Sequence, residues 1–171
     1  MAKRSMSFAE RALPMRPFSE SLPMALLKTR EAVMRLFRPG LRKHGVTEQQ
    51  WRVLRALAHS GPLEVTALAE ATFLLAPSLS RILPDLERRQ LIARRQMDTD
   101  LRRHVVSLEA KGLRLIGAHA PYSEEMYARI AKRFGAERTA QLLGLLAELE
   151  SSLEEIVQEQ APSRRRRSSS R

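Results

Sequence analysis

The sequence predicts a mainly α-helical protein with one small β-hairpin. Three observations lead to this fold class. A short helix and a longer helix follow each other across a brief turn, and the apolar period then changes to that of two short strands. Long apolar stripes near both ends of the chain predict a further helical region built from the N- and C-terminal helices.

The central segment, residues 75–91, predicts an amphipathic helix. Its apolar stripe, at positions i, i+3, i+4 and i+7, consists of Leu79, Ile82, Leu83 and Leu86. Val65–Thr72 predicts a short helix just before it, and a tight turn between the two gives the pattern of a helix-turn-helix. Residues 77–81 are called the reading segment here, because we expect them to enter the major groove of DNA.

A long helix is predicted over residues 21–43. Ser19 or Ser21 can cap it, and Pro23 suits its first turn. Because Pro39 cannot donate to the carbonyl four residues back, we expect the Pro39-Gly40 pair to kink or end this helix. Its apolar side consists of Leu22, Leu26, Val33, Phe37 and Leu41.

A capping box predicts where the next helix begins. Thr47 and Gln50 have the required spacing, and Gly61-Pro62 is a stop signal. One face of this helix is predicted to carry Trp51, Leu54, Leu57 and Ala58. Leu63 is then expected to pair as a very short strand.

Residues 91–96 and 104–108 predict the two strands of a hairpin. The polar stretch between them is expected to form the tip, which would carry Asp98, Asp100, Arg102 and Arg103. A helix-turn-helix followed by a hairpin with a basic tip is a winged helix.

Two helices complete the chain. In the first, residues 110–134, Pro121 is expected to cause a bend, Ser123 to act as a restart cap, and Gly135 to end the helix. The second, residues 137–158, carries a stripe of Leu142, Leu145, Leu146, Leu149, Leu153, Ile156 and Val157. So long a stripe indicates that a second subunit covers it.

Charge and composition restrict the function further. The chain contains 30 Lys and Arg and 19 Asp and Glu. Without the five arginines of the C-terminal tail, 25 basic residues remain, so the rest of the chain is also basic. This balance favours a polyanionic partner such as nucleic acid. There is no Cys, no apolar run long enough for a membrane span and no signal-peptide pattern, so we expect a cytoplasmic protein without membrane contact. Residues 1–18 are expected to be a flexible arm, and residues 161–171 a basic disordered tail.

These runs resemble the MarR family of winged-helix regulators over about residues 22–153. The matching segments are TEQQWRVL (47–54), PSLSRIL (77–83) and the wing DLR (100–102) with VVSL (105–108) and Gly112. The run at 27–33 with Phe37-Arg-Pro39 resembles the HpaR-like branch, named for control of homoprotocatechuate (aromatic acid) breakdown. Pro84 inside the recognition helix, the two-residue spacing of the wing aspartates and Glu109 in place of a capping Thr depart from the family pattern.

The resemblance implies a homodimer that binds a pseudo-palindrome in double-stranded DNA and is released by a small aromatic carboxylate. It implies one domain over residues 19–160, in which 19–46 and 110–160 dimerise and 47–109 form the winged helix-turn-helix.

Within that frame we assign the DNA contacts. Ser78 and Arg81, next to Pro77, are expected to meet bases, because Arg can bridge guanine O6 and N7. Ser80 and Thr66 are expected to bind phosphate. Arg102 and Arg103 on the wing should meet phosphate or the minor groove, with Asp100 bracing Arg102.

The effector needs a cation, an apolar wall and a hydrogen-bonding group. Candidates are Arg38 as carboxylate partner, Arg30, Trp51 as wall and His59 toward a ring hydroxyl. Trp51 as a core residue, and His59 as a favourable cation at a helix C-terminus, are the alternatives.

No metal, cofactor or enzyme motif is apparent. The four histidines lack ligand spacing, and no nucleophile elbow, phosphate loop or paired carboxylates occur. The hypothesis is therefore a ligand-responsive repressor of a catabolic operon. The alternatives are a DNA-architectural protein without an effector and a protein–protein adaptor.

Overall fold

The computed structural model describes residues 16–97 and 100–160, and at residues 97 and 100–103 it describes only the backbone. After a 3-10 turn at Phe18–Glu20 come α1 (Leu22–Lys43), α2 (Glu48–Ser60), β1 (Leu63–Glu64), α3 (Val65–Thr72), α4 (Ala76–Arg88), β2 (Ile92–Met97), β3 (Asp100–Leu108), α5 (Ala110–Phe134) and α6 (Ala136–Gln160). The expectations for residues 1–15, for Asp98 and for the tail at 161–171 lie outside the described residues.

The chain divides into two compact units, Met1–Glu124 and Glu125–Arg171. The first holds the sheet, which is antiparallel in the order β1-β3-β2. Leu63 pairs with Val106, and Ile92 pairs with Leu108, so the predicted short strand joins the hairpin as its third member. None of the described helices has the length and apolarity to cross a membrane.

The hydrophobic core belongs to the first unit, where α2, α3 and α4 pack with the sheet. The stripe predicted for α4 is buried, with each of its four residues at most 8% exposed. The box at the start of α2 is formed in both directions: Gln50 N–H donates to Thr47 Oγ1 at 3.2 Å, and Thr47 N–H donates to Gln50 Oε1 at 2.9 Å. These local signals therefore lead directly to the folded arrangement.

An end of α1 at Pro39 and a restart cap at Ser123 are both wrong, whereas a kink at Pro39 and a bend at Pro121 stay predictions. Helix α1 continues through Pro39 and Gly40 to Lys43, and α5 continues through Pro121, so that Ser123 lies inside a helix and not at a restart cap. Pro121 and Gly117, whose carbonyl it leaves without an intrahelical donor, are both exposed. Water can satisfy that carbonyl, and the helix loses one bond without ending.

Two further expectations need correction. Strand β3 begins at Asp100, so Asp100, Arg102 and Arg103 lie in a strand and not at the hairpin tip. Its pairing with β2 shifts register between Gln96 and Met97, where Met97 pairs with Asp100. On α2, Ala58 is exposed and Val53 is fully buried, because the helix packs on two sides and the single predicted face was too narrow.

The C-terminal helix α6 differs from all of these, because none of its residues is buried. Gly135, at φ 105°, ends α5, as predicted, and its N–H donates to the Ala131 carbonyl. Beyond it, six of the seven predicted stripe residues are exposed: Leu142, Leu145, Leu146, Leu153, Ile156 and Val157. None of the described residues therefore buries this leucine stripe.

Candidate nucleic-acid interface and effector site

Helix α4 presents its polar and basic side chains opposite its buried stripe. Pro77, Ser80 and Arg81 are exposed, and Ser78 is half-buried. Pro77 lies in the first turn, where its missing N–H leaves no bond unmade. The reading segment therefore faces solvent from the end of the helix at which backbone N–H groups and the positive dipole also point outward.

The Ser80 hydroxyl and the Arg81 guanidinium differ in how far they are available to bind DNA. The Ser80 hydroxyl donates to the Ala76 carbonyl at 3.0 Å, which leaves its oxygen as an acceptor only. Pro84, also exposed, cannot donate to the Ser80 carbonyl, yet the helix continues to Arg88. Arg81 is exposed, and its side chain makes no hydrogen bond or ion pair with the other described residues, so it is the better placed of these residues to reach a base edge.

Thr66 is exposed in the first turn of α3, at the predicted phosphate position. Arg102 and Arg103 are both in β3, as is Asp100. Their side chains lie outside the described residues, and the bracing of Arg102 by Asp100 stays a prediction.

Helix α4 is fixed to its neighbours by hydrogen bonds. The Gln50 side chain of α2 donates to Asp85 at 2.9 Å, and Arg89, just after α4, donates to the Gly45 carbonyl at 2.9 Å. Hydrogen bonding from Arg88, together with the charges of Arg88 and Arg89, holds the pKa of Asp85 below its ordinary value. The acceptor therefore stays ionised, and α4 is tied both to the start of α2 and to the loop before it.

A second bond links α2 to the turn before the recognition helix α4. Arg52 Nη1 donates to the Thr72 carbonyl at 2.8 Å, while its Nε is buried without a partner in the described part of the chain. Burial, and then the nearby charge of Arg30, lower the pKa of Arg52. The end of α3 is thus held from inside the unit.

The neighbour of Arg52, Trp51, belongs to an aromatic cluster that the sequence did not predict. The cluster comprises Trp51, His44, His119 and Tyr122. Trp51 meets His119 edge-on, with ring centroids 4.5 Å apart, and His44 meets it at 5.5 Å. Tyr122 donates its hydroxyl to the Leu36 carbonyl at 2.7 Å, which ties α5 to α1.

His119 is the unusual member of this cluster. It is 1% exposed, and its Nδ1 has no hydrogen-bond partner among the described residues. Burial, and secondarily the charge of His44, lower the pKa of His119 below that of a free imidazole. The ring is therefore kept neutral, with one polar atom unused in an aromatic surrounding, a state that suits hydrogen bonding to a neutral polar group.

The predicted carboxylate partners of an effector already hold carboxylates. Arg38 pairs with Glu31 and, at 3.1 Å, with Glu48, and Arg30 pairs with Glu48. The hydrogen bond from Arg38 lowers the pKa of Glu31, and the pKa of Arg38 is raised in return. A ligand carboxylate at Arg38 would have to displace one of these glutamates.

The structure separates His59 from the other effector candidates. It is exposed in the last turn of α2, eight residues or about 12 Å of helix beyond Trp51. Glu48 brings Arg30 and Arg38 to the first turn of α2, the turn that also carries Trp51. Sequence reasoning missed Glu48, His119 and Tyr122. His119 and Tyr122 are three residues apart, a spacing that places both on one face of a continuous helix. The expected interruption at Pro121 prevented this inference.

A groove of about 500 Å³ lies at the base of the wing, between the end of α4, β2 and the start of α5. Its basic lining is Arg94, Arg95, Lys111 and Arg114, and none of the predicted effector residues lines it. Among the described residues no three His, Cys, Asp or Glu side chains could together hold a metal ion.

Known proteins resemble this chain over most of its length. A model of the MarR family matches residues 44–103. The homoprotocatechuate degradative operon repressor of Escherichia coli is 41% identical over 129 residues, which cover 75% of this chain and 87% of the repressor.

Two solved structures give the same architecture. NadR in complex with 4-hydroxyphenylacetate is 37% identical, with a TM-score of 0.69 over 80% of this chain and 97% of NadR. The transcriptional repressor CouR, solved bound to a 23-mer DNA duplex, is 26% identical, with a TM-score of 0.71 over 81% of this chain and 98% of CouR.

Proposed function

Because this chain belongs to the MarR family of transcriptional regulators, we propose that it is a homodimeric repressor of a catabolic operon for aromatic acids. It binds a pseudo-palindromic operator in double-stranded DNA and leaves it when a small hydroxylated aromatic or heteroaromatic carboxylate binds. This role uses no cofactor, metal or catalytic step, and it places the protein in the cytoplasm, at the nucleoid while DNA is bound.

The observation that carries the proposal is the exposed reading segment above a fully buried stripe. Arg81 reaches a guanine from the major groove, with Pro77 and Ser78 beside it. Ser80 and Thr66 contact phosphate. The side chains of Arg102 and Arg103 extend the contact from β3, with Asp100 as the brace.

A second copy of the chain is required for two half-sites. The exposed stripe on α6 supports a pairing surface, since it offers leucines at helical spacing that none of the described residues covers. With two copies paired, the distance between the two α4 helices decides whether both can enter successive major grooves, about one helical turn apart.

The ligand class is supported by relatives and by the residues at the start of α2. The Escherichia coli relative is named for homoprotocatechuate degradation, and NadR was solved with 4-hydroxyphenylacetate. In this chain Trp51 is the ring wall, and Arg38, assisted by Arg30, is the carboxylate partner once Glu31 or Glu48 is displaced. His59 stays the candidate for a ring hydroxyl.

The proposal is tested by ligand release from DNA. A duplex is first selected by the protein from a random library, and its retention is then measured against a panel of aromatic and pyridine carboxylic acids. Release by a hydroxylated member of the panel is the expected result. Weak sequence preference and no release by any acid would instead support the architectural alternative, in which deleting residues 162–171 abolishes binding.

Two variants separate the two sites. Arg81→Ala is expected to weaken binding of the selected duplex by about 1–3 kcal/mol and to relax base choice. Arg38→Ala is expected to bind DNA normally and to need more acid for release. Unchanged DNA binding in the first variant would remove α4 from the groove, and unchanged release in the second would remove Arg38 from the effector site.

A further inference from the structure

The turn between α3 and α4 exposes two large apolar side chains. Phe73 is 81% exposed and Leu75 is 77% exposed, the highest values among the large hydrophobic residues that the structure describes. Leu74 between them is 8% exposed and belongs to the core. The turn is therefore anchored by its middle residue and presents the residues on either side to solvent.

Both exposed residues occupy positions that local physics assigns to other residue types. Phe73 caps the end of α3 at φ 51°, a left-handed conformation that favours Gly or Asn and is unfavourable for a bulky side chain. Leu75 is the N-cap of α4 and makes no side-chain capping bond, where Ser, Thr, Asp or Asn would make one. Neither residue gains burial in return.

Hydrogen bonds hold the backbone of the turn in this unfavourable conformation. Leu74 N–H donates to the Ala69 carbonyl at 3.1 Å, and Arg52 holds the Thr72 carbonyl at 2.8 Å. Residues kept against local preference, on a backbone fixed by its surroundings, are characteristic of contacts made outside the chain.

The position of the pair indicates which contact this is. Phe73, Leu75, Ala76 and Pro77 are all exposed, so the leading end of the recognition helix carries no polar side chain before Ser78. Such a surface cannot hydrogen-bond a base edge. The apolar feature that DNA offers in the major groove is the C5-methyl group of thymine.

We propose that Phe73 and Leu75 read thymine methyl groups in the operator, next to the bases contacted by Arg81. The inference rests on the proposed function, because it requires α4 to lie in the major groove. It adds apolar specificity-determining residues to a site otherwise composed of hydroxyl and guanidinium groups.

The test combines a protein variant with a single-methyl change in DNA. In the duplex selected by the wild-type protein, each thymine is replaced in turn by deoxyuridine, which removes only the methyl group. Each contacted methyl is expected to be worth about fourfold in affinity. Phe73→Asn keeps a residue that accepts the left-handed conformation while removing the ring.

We expect Phe73→Asn to bind the thymine duplex at least fourfold more weakly and to lose discrimination between thymine and deoxyuridine at one position per half-site. Leu75→Ser, which supplies a capping hydroxyl, should lose discrimination at a neighbouring position. Both should melt at or above the wild-type temperature, so weaker binding cannot be attributed to unfolding. Phe18→Asn, which makes the same exchange at a phenylalanine that is 59% exposed before α1 and outside the segments assigned to dimerisation and to DNA, is the matched control and should bind both duplexes as the wild type does.

Equal loss on thymine and deoxyuridine duplexes, or no loss at all, would overturn methyl readout. A change in solution assembly without a change in DNA binding would assign the pair to a protein contact and overturn it too. If the wild-type protein selects no duplex, the proposed function itself fails, which is a distinct result.

Discussion

Helices α4 and α6 both carry leucine stripes, yet they end in opposite states. On α4 every stripe residue is buried within the first unit, and the opposite side is exposed to solvent. On α6 no residue is buried, and Leu145 alone is 62% exposed. The described part of the chain therefore packs α4 completely, whereas it leaves the stripe of α6 uncovered, and in the proposed function a second copy covers that stripe.

The largest effect on stability is expected for truncation of a buried stripe residue of α4, such as Leu79. This α4 residue is fully buried, so Leu79→Ala leaves a cavity and should lower the free energy of unfolding by about 2–5 kcal/mol. Urea denaturation measures it. A loss below about 1 kcal/mol would show that α4 is not packed as described.

The matching change on α6 should affect assembly before it affects folding. Leu145→Glu places a charge on the exposed stripe of each copy, and we expect the dimer to dissociate and operator affinity to fall by about tenfold or more. Light scattering and duplex binding over a range of protein concentrations measure both.

Ser151→Glu adds the same charge to an exposed residue of α6 outside the stripe and should leave the dimer intact. If the two variants behave alike, the stripe is not the pairing surface.

The packing around α1 and around α6 can be compared by replacing one glycine in each helix with alanine, which adds a single methyl group. A Cβ at Gly40 on α1 would overlap the Tyr122 ring and come within 2.8 Å of His119 Cε1, whereas a Cβ at Gly144 on α6 would meet no atom within 4 Å. Gly40→Ala should destabilise by about 1–3 kcal/mol. Gly144→Ala should stabilise by about 0.5–1 kcal/mol, since it removes backbone freedom from the unfolded chain.

Thermal unfolding of both variants measures these effects. Destabilisation by Gly144→Ala together with dissociation would mean that a second copy packs closely at that point of α6.

The smallest expected effect depends on pH, and it is confined to the first unit, because residues 125–171 contain no histidine. Burial lowers the pKa of His119 in the folded state, so below pH 6.5 the unfolded chain binds the proton more readily. Stability should therefore fall as pH drops from about 6.5 towards the lower pKa of the folded state.

Melting temperatures at pH 7.5 and 5.5 measure this change. His119→Gln should reduce the acid sensitivity, whereas His59→Gln, at an exposed position, is the matched control and should keep it. An unchanged pH dependence in His119→Gln would show that the buried imidazole is not its source.

Sequence reasoning succeeded where the cause of a structure is local. The capping box at Thr47, the bounds of the short helix α3 and the buried stripe of α4 each follow from a few neighbouring residues. The start of β3 did not follow, because Asp100 pairs with Met97 of β2 across a register shift, a contact that the polar composition of residues 100–103 does not indicate.

The candidate site was harder to predict, because its contacts join distant segments. Nothing in the spacing of His44, Trp51 and His119 indicates that three rings meet, since that depends on how α1, α2 and α5 pack. Arg38 was identified from its charge, but its pairing with Glu31 and Glu48 required the folded arrangement. The exposure of Phe73 could not be predicted from the sequence either, because an apolar residue is assigned to the core by default.

The bonds from Gln50 to Asp85 and from Arg52 to Thr72 have a mechanical consequence. Both join α2 to the helix-turn-helix, one at α4 and the other at the end of α3. These two bonds attach α2 to both helices of the helix-turn-helix within the first unit. In the proposed function, a ligand that displaced α2 at Trp51 would then move α4 with it, and would change the distance between the two α4 helices of a dimer rather than the shape of either one.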